Sequence, residues 1–159
     1  MRLLITGAAG FVGGHLARHC LESGDEVWGF DRAGAGMALR RGLQFLTADL
    51  LAPGTLSGVL DRARPRAIVH LAAQSSVPMS QERPVATWEA NVIGTMNLYE
   101  AVRARGKPYP RIAFIGSGDV YGDVPAKRLP IPAIFPELSI TSQPVVCSPF
   151  VRLSAFVSM

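Results

Sequence analysis

At 159 residues the chain has the length of one domain and can bury a hydrophobic core. Its 48% of apolar and 18% of charged residues are typical of a soluble α/β domain. No run is long enough to span a membrane, and the first apolar run reads as a strand rather than a signal peptide, so we expect no membrane partner. Cys20 and Cys147 show no metal or disulfide spacing, which favours a cytoplasmic location and predicts no metal site.

The net charge of +4 raises the question of a nucleic-acid partner. The basic residues are spread along the chain, however, and fall where predicted helices end, as the helix dipole favours. No interleaved aromatic residues accompany them. We therefore expect no nucleic-acid partner, and the charge favours anionic small ligands instead.

A glycine turn joins the first predicted strand, residues 3–5, to an amphipathic helix that begins near Gly10 or Phe11. Gly7, Gly10 and Gly13 follow a G-x-x-G-x-x-G spacing. Gly7 permits a sharp turn, Gly10 permits close approach of a pyrophosphate, and Gly13 lets the helix pack closely on its strand. The free amides and the dipole of the helix start favour a phosphate. The sequence therefore predicts a dinucleotide cradle here.

Strands and helices alternate along the rest of the chain. Strands are predicted at residues 26–30, 43–47, 66–71 and 111–115, and helices at residues 53–63 and 84–104. This alternation predicts the α/β class, a Rossmann-like doubly wound parallel sheet with right-handed crossovers. Prolines crowd beyond residue 125, and no sustained period follows. We therefore predict a Rossmann domain over residues 1–130 and an irregular tail over residues 131–159.

Polar residues follow several of the predicted strands. Asp31 ends the second strand, where a carboxylate can bind the ribose hydroxyls of adenosine. Asp49 follows the third strand and either contacts adenine or caps the next turn. Ser117 follows the fifth strand, and a functional role is favoured because the carboxyl ends of parallel strands carry ligand contacts in open α/β sheets.

Three further features concern the interior. His70 lies in a buried strand, and a hydrogen-bonded core role is favoured over a catalytic one. Asn91 is a poor helix former in mid-helix, so we expect it to be buried and hydrogen-bonded near the site. Trp88, Val92 and Met96 recur at four-residue steps, and we expect them to lie in the core.

Four segments resemble motifs of the extended short-chain dehydrogenase/reductase family, the NAD(P)-dependent epimerases and dehydratases of nucleotide sugars. These segments are TGAAGFVG (6–13), HLAAQSSV (70–77), NVIGTMNL (91–98) and SGDVYG (117–122). Their wording is most similar to the branch of GDP-mannose 4,6-dehydratase and GDP-4-keto-6-deoxymannose reductase. The resemblance covers about residues 1–130.

The resemblance implies an NAD or NADP cofactor and a nucleotide-sugar substrate, with a GDP-sugar favoured. Arg32 leaves NADP open, since an arginine beside the ribose can accommodate a 2′-phosphate. Ser117 would hydrogen-bond a reacting sugar oxygen as the catalytic serine, and a homodimer is left open. The residues that would contact the cofactor are Gly7, Gly10, Phe11, Val12, Gly13, Asp31, Arg32, Asp49, Leu50, Leu71, Ala72 and Ala73.

The family's acid/base tyrosine, in a Y-x-x-x-K pair, has no counterpart here. The residues four positions after Tyr99, Tyr109 and Tyr121 are an arginine, an alanine and a proline. The chemistry needs a lysine one helical turn away, because its ammonium lowers the pKa of the phenol. The usual second, substrate-binding domain is also expected to be lacking.

Two functions therefore stay open, and the sequence leaves undecided whether the chain is an enzyme. The first is an oxidoreductase, epimerase or dehydratase acting on a nucleotide sugar. The second is a catalytically inactive NAD(P)-binding fragment or module. A third possibility, besides these two functions, is an unstable fragment, since the tail lacks the amphipathic pattern needed to cover the fifth strand. The loss of charge and motifs near residue 131 leads to the hypothesis of a frameshifted or truncated tail.

Overall fold

A computed structural model describes residues 1–32, 41–116 and 125–126 of the chain. The strands are β1 (Arg2–Thr6), β2 (Glu26–Asp31), β3 (Gln44–Thr47), β4 (Ala67–His70) and β5 (Arg111–Phe114). The α-helices are α1 (Phe11–Glu22), α2 (Pro53–Ala63), α3 (Val77–Glu82), α4 (Pro84–Trp88) and α5 (Gly94–Arg105), and a π-helical turn, Glu89–Ile93, joins α4 to α5. The predicted tail, residues 131–159, lies outside the described residues.

The strands form one parallel sheet in the order β3-β2-β1-β4-β5. The chain crosses from β3, at one edge, over β1 to β4, so the strand order reverses beside β1. In an open α/β sheet, ligands bind at the carboxyl ends of the strands at such a reversal. Thr6 pairs with Phe30 on one side and with His70 on the other, so these three strand ends are level. The predicted Rossmann-like parallel sheet is confirmed.

Apolar side chains fill both faces of the sheet because successive residues of a strand point to opposite sides. Leu4 points into the larger core, which α2 and α5 cover, while Leu3 and Ile5 point into the smaller core beneath α1. Both faces of β1 are therefore buried, as the short apolar run predicts. The sheet is doubly wound as expected.

The helix predicted over residues 84–104 forms, but the π-turn interrupts it. The amide of Gly94 donates to the carbonyl of Glu89, five residues earlier, which inserts one extra residue into the turn. Buried Thr87 consequently takes the place on the inner face that an uninterrupted α-helix would give to Trp88. The core prediction is right for Val92 and wrong for Trp88 and Met96, which are 48% and 47% exposed.

Helix α3 was not predicted from the sequence. Ser76 is its N-cap residue and accepts a hydrogen bond from the amide of Met79 at 3.5 Å. Pro78 lies in the first turn, where its missing amide costs no helical hydrogen bond. Across the described residues, no helix is long and apolar enough to cross a membrane.

Candidate functional site

The glycine turn after β1 packs against the loop that follows β4. Gly7 has a φ of +68°, and a β-carbon there would lie 2.9 Å from the backbone of Ala72. A β-carbon on Gly13 would lie 2.2 Å from the carbonyl oxygen of Gly7. Both positions therefore exclude any larger residue. The predicted roles of Gly7 and Gly13 in tight turning and packing are confirmed, although Gly13 meets the turn itself rather than the strand.

The amino end of α1 is open. Gly10, its N-cap residue, has no side chain to accept hydrogen bonds, and the first intrahelical bond runs from the amide of Gly14 to the carbonyl of Gly10. The amides of the first turn therefore have no partner within the helix. Phe11 is 83% exposed and Val12 59% exposed. This end of the helix presents free donors and a positive dipole to open space, which suits an anion.

Asp31 lies beside the same turn. Its Oδ2 accepts a hydrogen bond from the amide of Ala9 at 3.2 Å, and its Oδ1 accepts one from the amide of Arg32 at 2.9 Å. An ionised carboxylate has about four acceptor sites, so about two remain. The side chain of Asp31 is held next to the cradle and keeps the capacity to accept from two hydroxyl groups.

The loop after β3 also reaches this edge of the sheet. The Oδ1 of Asp49 accepts from the amide of Leu51 at 2.9 Å, which is the turn-capping role left open from the sequence. The side chain of Leu50 is buried in the larger core, and its carbonyl accepts from Nδ2 of Asn97 at 2.8 Å. Adenine contact by Asp49 or Leu50 stays a prediction.

A chain of hydrogen bonds runs through the buried ring of His70. The hydroxyl oxygen of Thr6 accepts from the amides of Leu71 and Ala72, at 3.2 and 3.0 Å. Its own hydrogen must then be donated to Nδ1 of His70, at 2.6 Å. The other ring nitrogen, Nε2, therefore carries the hydrogen and donates to the hydroxyl of Thr95 at 2.9 Å. This order fixes one neutral tautomer of His70.

The chain of hydrogen bonds ends in the π-turn, because the hydroxyl of Thr95 donates to the carbonyl of Asn91 at 2.6 Å. Burial lowers the pKa of His70 to about 4, since the charged ring would lose its hydration. The ring of Phe114 packs against it at 5.7 Å between centroids. His70 is thus a hydrogen-bonded core residue, as the sequence favoured.

Asn91 fixes the far end of the loop after β4. Its Oδ1 accepts from the amide of Gln74 at 2.7 Å, and its Nδ2 donates to the carbonyl of the same residue at 3.0 Å. The expectation that Asn91 is hydrogen-bonded is confirmed, whereas its side chain is half-buried rather than buried. Its place in a π-turn also fits, because such turns are frequent at functional sites.

The loop over residues 71–74 is therefore fixed at both ends. Thr6 binds its first two amides and Asn91 binds Gln74, so Ala72 and Ala73 are positioned beside the glycine turn. Sequence reasoning missed the contributions of Thr6, Gln74 and Thr95. A signal was available only for Thr95, which places a hydroxyl group at a helical position that an apolar residue would otherwise take.

Ser117, the predicted catalytic serine, lies outside the described residues, three positions after the end of β5. Within the described part of the chain, no group of three or more His, Cys, Asp or Glu side chains could hold a metal ion.

The parallel sheet, the glycine turn against the open end of α1 and the carboxylate of Asp31 together define a Rossmann-type domain. The model of the NAD dependent epimerase/dehydratase family matches residues 3–144. The chain belongs to that family, which confirms the family that its motifs resemble.

The relatives of this chain are named for different nucleotide sugars. The UDP-glucose 4-epimerase of Mycolicibacterium smegmatis is 38% identical over 134 residues, covering 79% of this chain and 42% of the relative. The GDP-6-deoxy-D-mannose reductase of Pseudomonas aeruginosa is 38% identical over 130 residues, covering 82% of this chain and 38% of the relative. These equal identities favour neither nucleotide.

Solved structures show the same fold. The UDP-glucose 4-epimerase of Thermus thermophilus in complex with NAD has a TM-score of 0.73 and 36% identity, over 79% of this chain and 41% of that one. The enzyme of Thermotoga maritima with UDP-glucose has a TM-score of 0.70 and 30% identity, over the same shares of each chain. The chain spans about two-fifths of the length of these relatives and structures.

Proposed function

We propose that the chain binds NAD(P) and supplies the cofactor-binding half of an enzyme that converts nucleotide sugars. The observation that carries this proposal is the hydrogen bond from the amide of Ala9 to the carboxylate of Asp31. It holds a ribose-binding carboxylate beside a turn whose glycines leave room for a pyrophosphate. Membership of a family described as NAD dependent supports the same conclusion.

The residues present fit a dinucleotide. The amides at the amino end of α1 would hold the pyrophosphate, Asp31 would bind the adenosine ribose, and the loop containing Ala72 and Ala73 would lie against the nicotinamide. When bound, the nicotinamide ring supplies the acceptor or donor of a hydride. The hydrogen bonds of Thr6 and Asn91 keep that loop in place.

Binding can be measured by the change in NADH fluorescence on titration with the protein. Asp31→Ala removes a charged hydrogen-bond acceptor, which is worth about 1.5–3 kcal/mol, so the Kd for NADH should rise roughly ten- to a hundredfold. Glu22→Gln is the control, because it removes one negative charge from an exposed position on α1. If Asp31→Ala and the native chain bound NADH with equal affinity, the proposal would lose its basis.

We propose NAD rather than NADP as the preferred cofactor. The carboxylate of Asp31 would face the 2′-phosphate of NADP, and two like charges repel each other. Exposed Arg32 is the alternative element that would attract the phosphate. NADH should therefore bind more tightly than NADPH, and Asp31→Asn should reduce the difference. Tighter binding of NADPH to the native chain would assign the specificity to Arg32.

We propose a GDP-sugar as the favoured substrate, with Ser117 hydrogen-bonding the reacting oxygen. The support is the wording of the four motifs, which is most similar to the branch of GDP-mannose 4,6-dehydratase and GDP-4-keto-6-deoxymannose reductase. Turnover of a GDP-sugar and of a UDP-sugar, followed by chromatography of the nucleotide sugars, tests both points, because it detects epimerisation, dehydration and reduction alike. Faster turnover of the UDP-sugar would reject the preference, and full activity of Ser117→Ala would reject the role of the serine.

The second candidate is a chain that binds NAD(P) without turnover. The observation that favours it is that residues 1–159 contain no Y-x-x-x-K pair. NADH binding without conversion of any nucleotide sugar would support this candidate, and turnover would reject it. We also propose a change of reading frame near residue 131. A Y-x-x-x-K string in another frame of the coding DNA would support the frameshift.

We propose that the chain forms a homodimer through exposed apolar side chains of the α4–α5 segment. Val85, Ile93 and Met96 are 70%, 43% and 47% exposed. Light scattering of the native chain and of Met96→Lys tests this proposal, since a charge in an apolar interface should shift the molar mass towards the monomer.

A further inference from the structure

A cavity of about 710 Å³ opens at the amino ends of β4 and β5, on the edge of the sheet opposite to the glycine turn. Among the described residues, those that line its wall include no acidic residue and five cationic ones, which are Arg64, Arg66, Arg105, Lys107 and Arg111. The cofactor role proposed for the carboxyl edge of the sheet does not use any of these side chains. They need a separate explanation.

Two of the five cations stabilise the end of helix α2. One guanidinium nitrogen of Arg105 donates to the carbonyl of Leu60 at 2.8 Å, and its Nε lies 3.2 Å from the carboxylate of Asp61. The Nε of Arg64 donates to the carbonyl of Asp61 at 3.3 Å. Such bonds satisfy terminal carbonyls and complement the negative end of the helix dipole. Arg64 and Arg105 therefore have a structural role.

The other three cations have no such role. Arg66 and Arg111 stand at the starts of adjacent strands, where the amide of Arg111 donates to the carbonyl of Arg66 at 3.1 Å, and Lys107 follows α5. Among the described residues, no carboxylate lies within 4.0 Å of these three side chains, whereas Arg2 is paired with Glu26 at 2.8 Å. Arg66, Lys107 and Arg111 are exposed residues of the cavity wall, and cations without counter-charges concentrate a positive potential there.

The cavity also offers an apolar surface. Leu60, Val102, Pro108 and Tyr109 contribute to its wall. A volume of this size is within the range of small-molecule sites, which combine apolar walls with a few polar groups. We propose that the cavity is a second ligand site, which binds a small molecule bearing two or more phosphate groups through Arg66, Lys107 and Arg111.

Isothermal titration with inorganic tripolyphosphate, on the full chain saturated with NADH, tests this site. The double variant Arg66→Gln/Arg111→Gln should weaken binding by about tenfold or more, since each lost charged hydrogen bond reduces affinity substantially. The matched control is Arg18→Gln/Arg83→Gln, which removes the same net charge from exposed positions elsewhere. It should weaken binding less than twofold. Lys107→Gln serves as a second probe of the cavity.

Equal losses in the two double variants would overturn the proposal, because the anion would then respond to net charge alone. Absence of tripolyphosphate binding to the native chain would also overturn it. If a short single-stranded oligonucleotide bound more tightly than tripolyphosphate, and the cavity variants lost that binding, the surface would be assigned to nucleic acid instead. Urea unfolding of each variant confirms that the fold is intact. NADH affinity should be unchanged in both double variants, so this test is independent of the proposed cofactor site.

Discussion

Replacing Thr6 by valine tests the idea that one hydroxyl group orders the loop after β4. Valine keeps the shape of the buried side chain and removes its oxygen. The amides of Leu71 and Ala72 then lose their acceptor, and Nδ1 of His70 loses its donor. The three orphaned groups lie at the point where the loop leaves the sheet.

The cost follows from the burial of these groups. A buried polar group left without a partner costs about 1–3 kcal/mol. His70 is 2% exposed and bears the full penalty, while the two amides belong to half-buried residues and bear less. We therefore expect Thr6→Val to lower the free energy of unfolding by about 3–5 kcal/mol. This is a large fraction of the roughly 5–15 kcal/mol that stabilises an ordinary domain.

Urea unfolding gives the change in stability, and hydrogen exchange at the amides of Leu71 and Ala72 locates it. Thr6→Ser is the matched control, because it keeps the hydroxyl and loses one methyl group, worth about 1 kcal/mol. Exchange at the two amides should accelerate in the valine variant and stay slow in the serine variant. Unfolding free energies of the two variants within about 0.5 kcal/mol would show that the hydroxyl does not order the loop.

Three further results are expected from urea unfolding. The pKa of His70 is about 4 in the folded chain and near 6.5 in the unfolded chain, so between these pH values the unfolded state binds the extra proton. The free energy of unfolding should therefore fall by about 3 kcal/mol as the pH drops from 6.5 to 4. His70→Gln should lose this pH dependence. Gly13→Ala should cost about 3 kcal/mol, because its β-carbon would meet the backbone of Gly7. Gly58→Ala should raise the free energy of unfolding by about 0.5–1 kcal/mol, because Gly58 lies in the interior of α2 and nothing lies within 4 Å of the new atom. A lower free energy of unfolding in this variant would contradict the open space around Gly58.

Local pattern was sufficient for most of the fold. The bounds of the predicted strands and of helix α2 agree with the structure to within about two residues, because apolar periodicity and glycine or proline punctuation act within a few residues of the chain. The positions of Gly7 and Asp31 also follow from spacing, since a strand and a helix of ordinary length bring both to one edge of a parallel sheet.

The interior of the 84–104 helix could not be predicted in this way. Whether a helix inserts an extra residue depends on the packing available to it, and here the π-turn lets Asn91 reach the loop at Gln74 while Thr87 replaces Trp88 on the inner face. Periodicity assumes a constant 3.6 residues per turn, so it assigned Trp88 and Met96 to the core.

The sequence by itself determined the alternation of strands and helices, the glycine turn and the family, because each is written in neighbouring residues. Tertiary structure alone decided the hydrogen bonds of His70 with Thr6 and with Thr95, which join residues 64 and 25 positions apart in the chain. It also gathered five cations at the opposite edge of the sheet. Hydrogen-bond order and charge clustering depend on distances across the fold, and a sequence pattern carries no such distances.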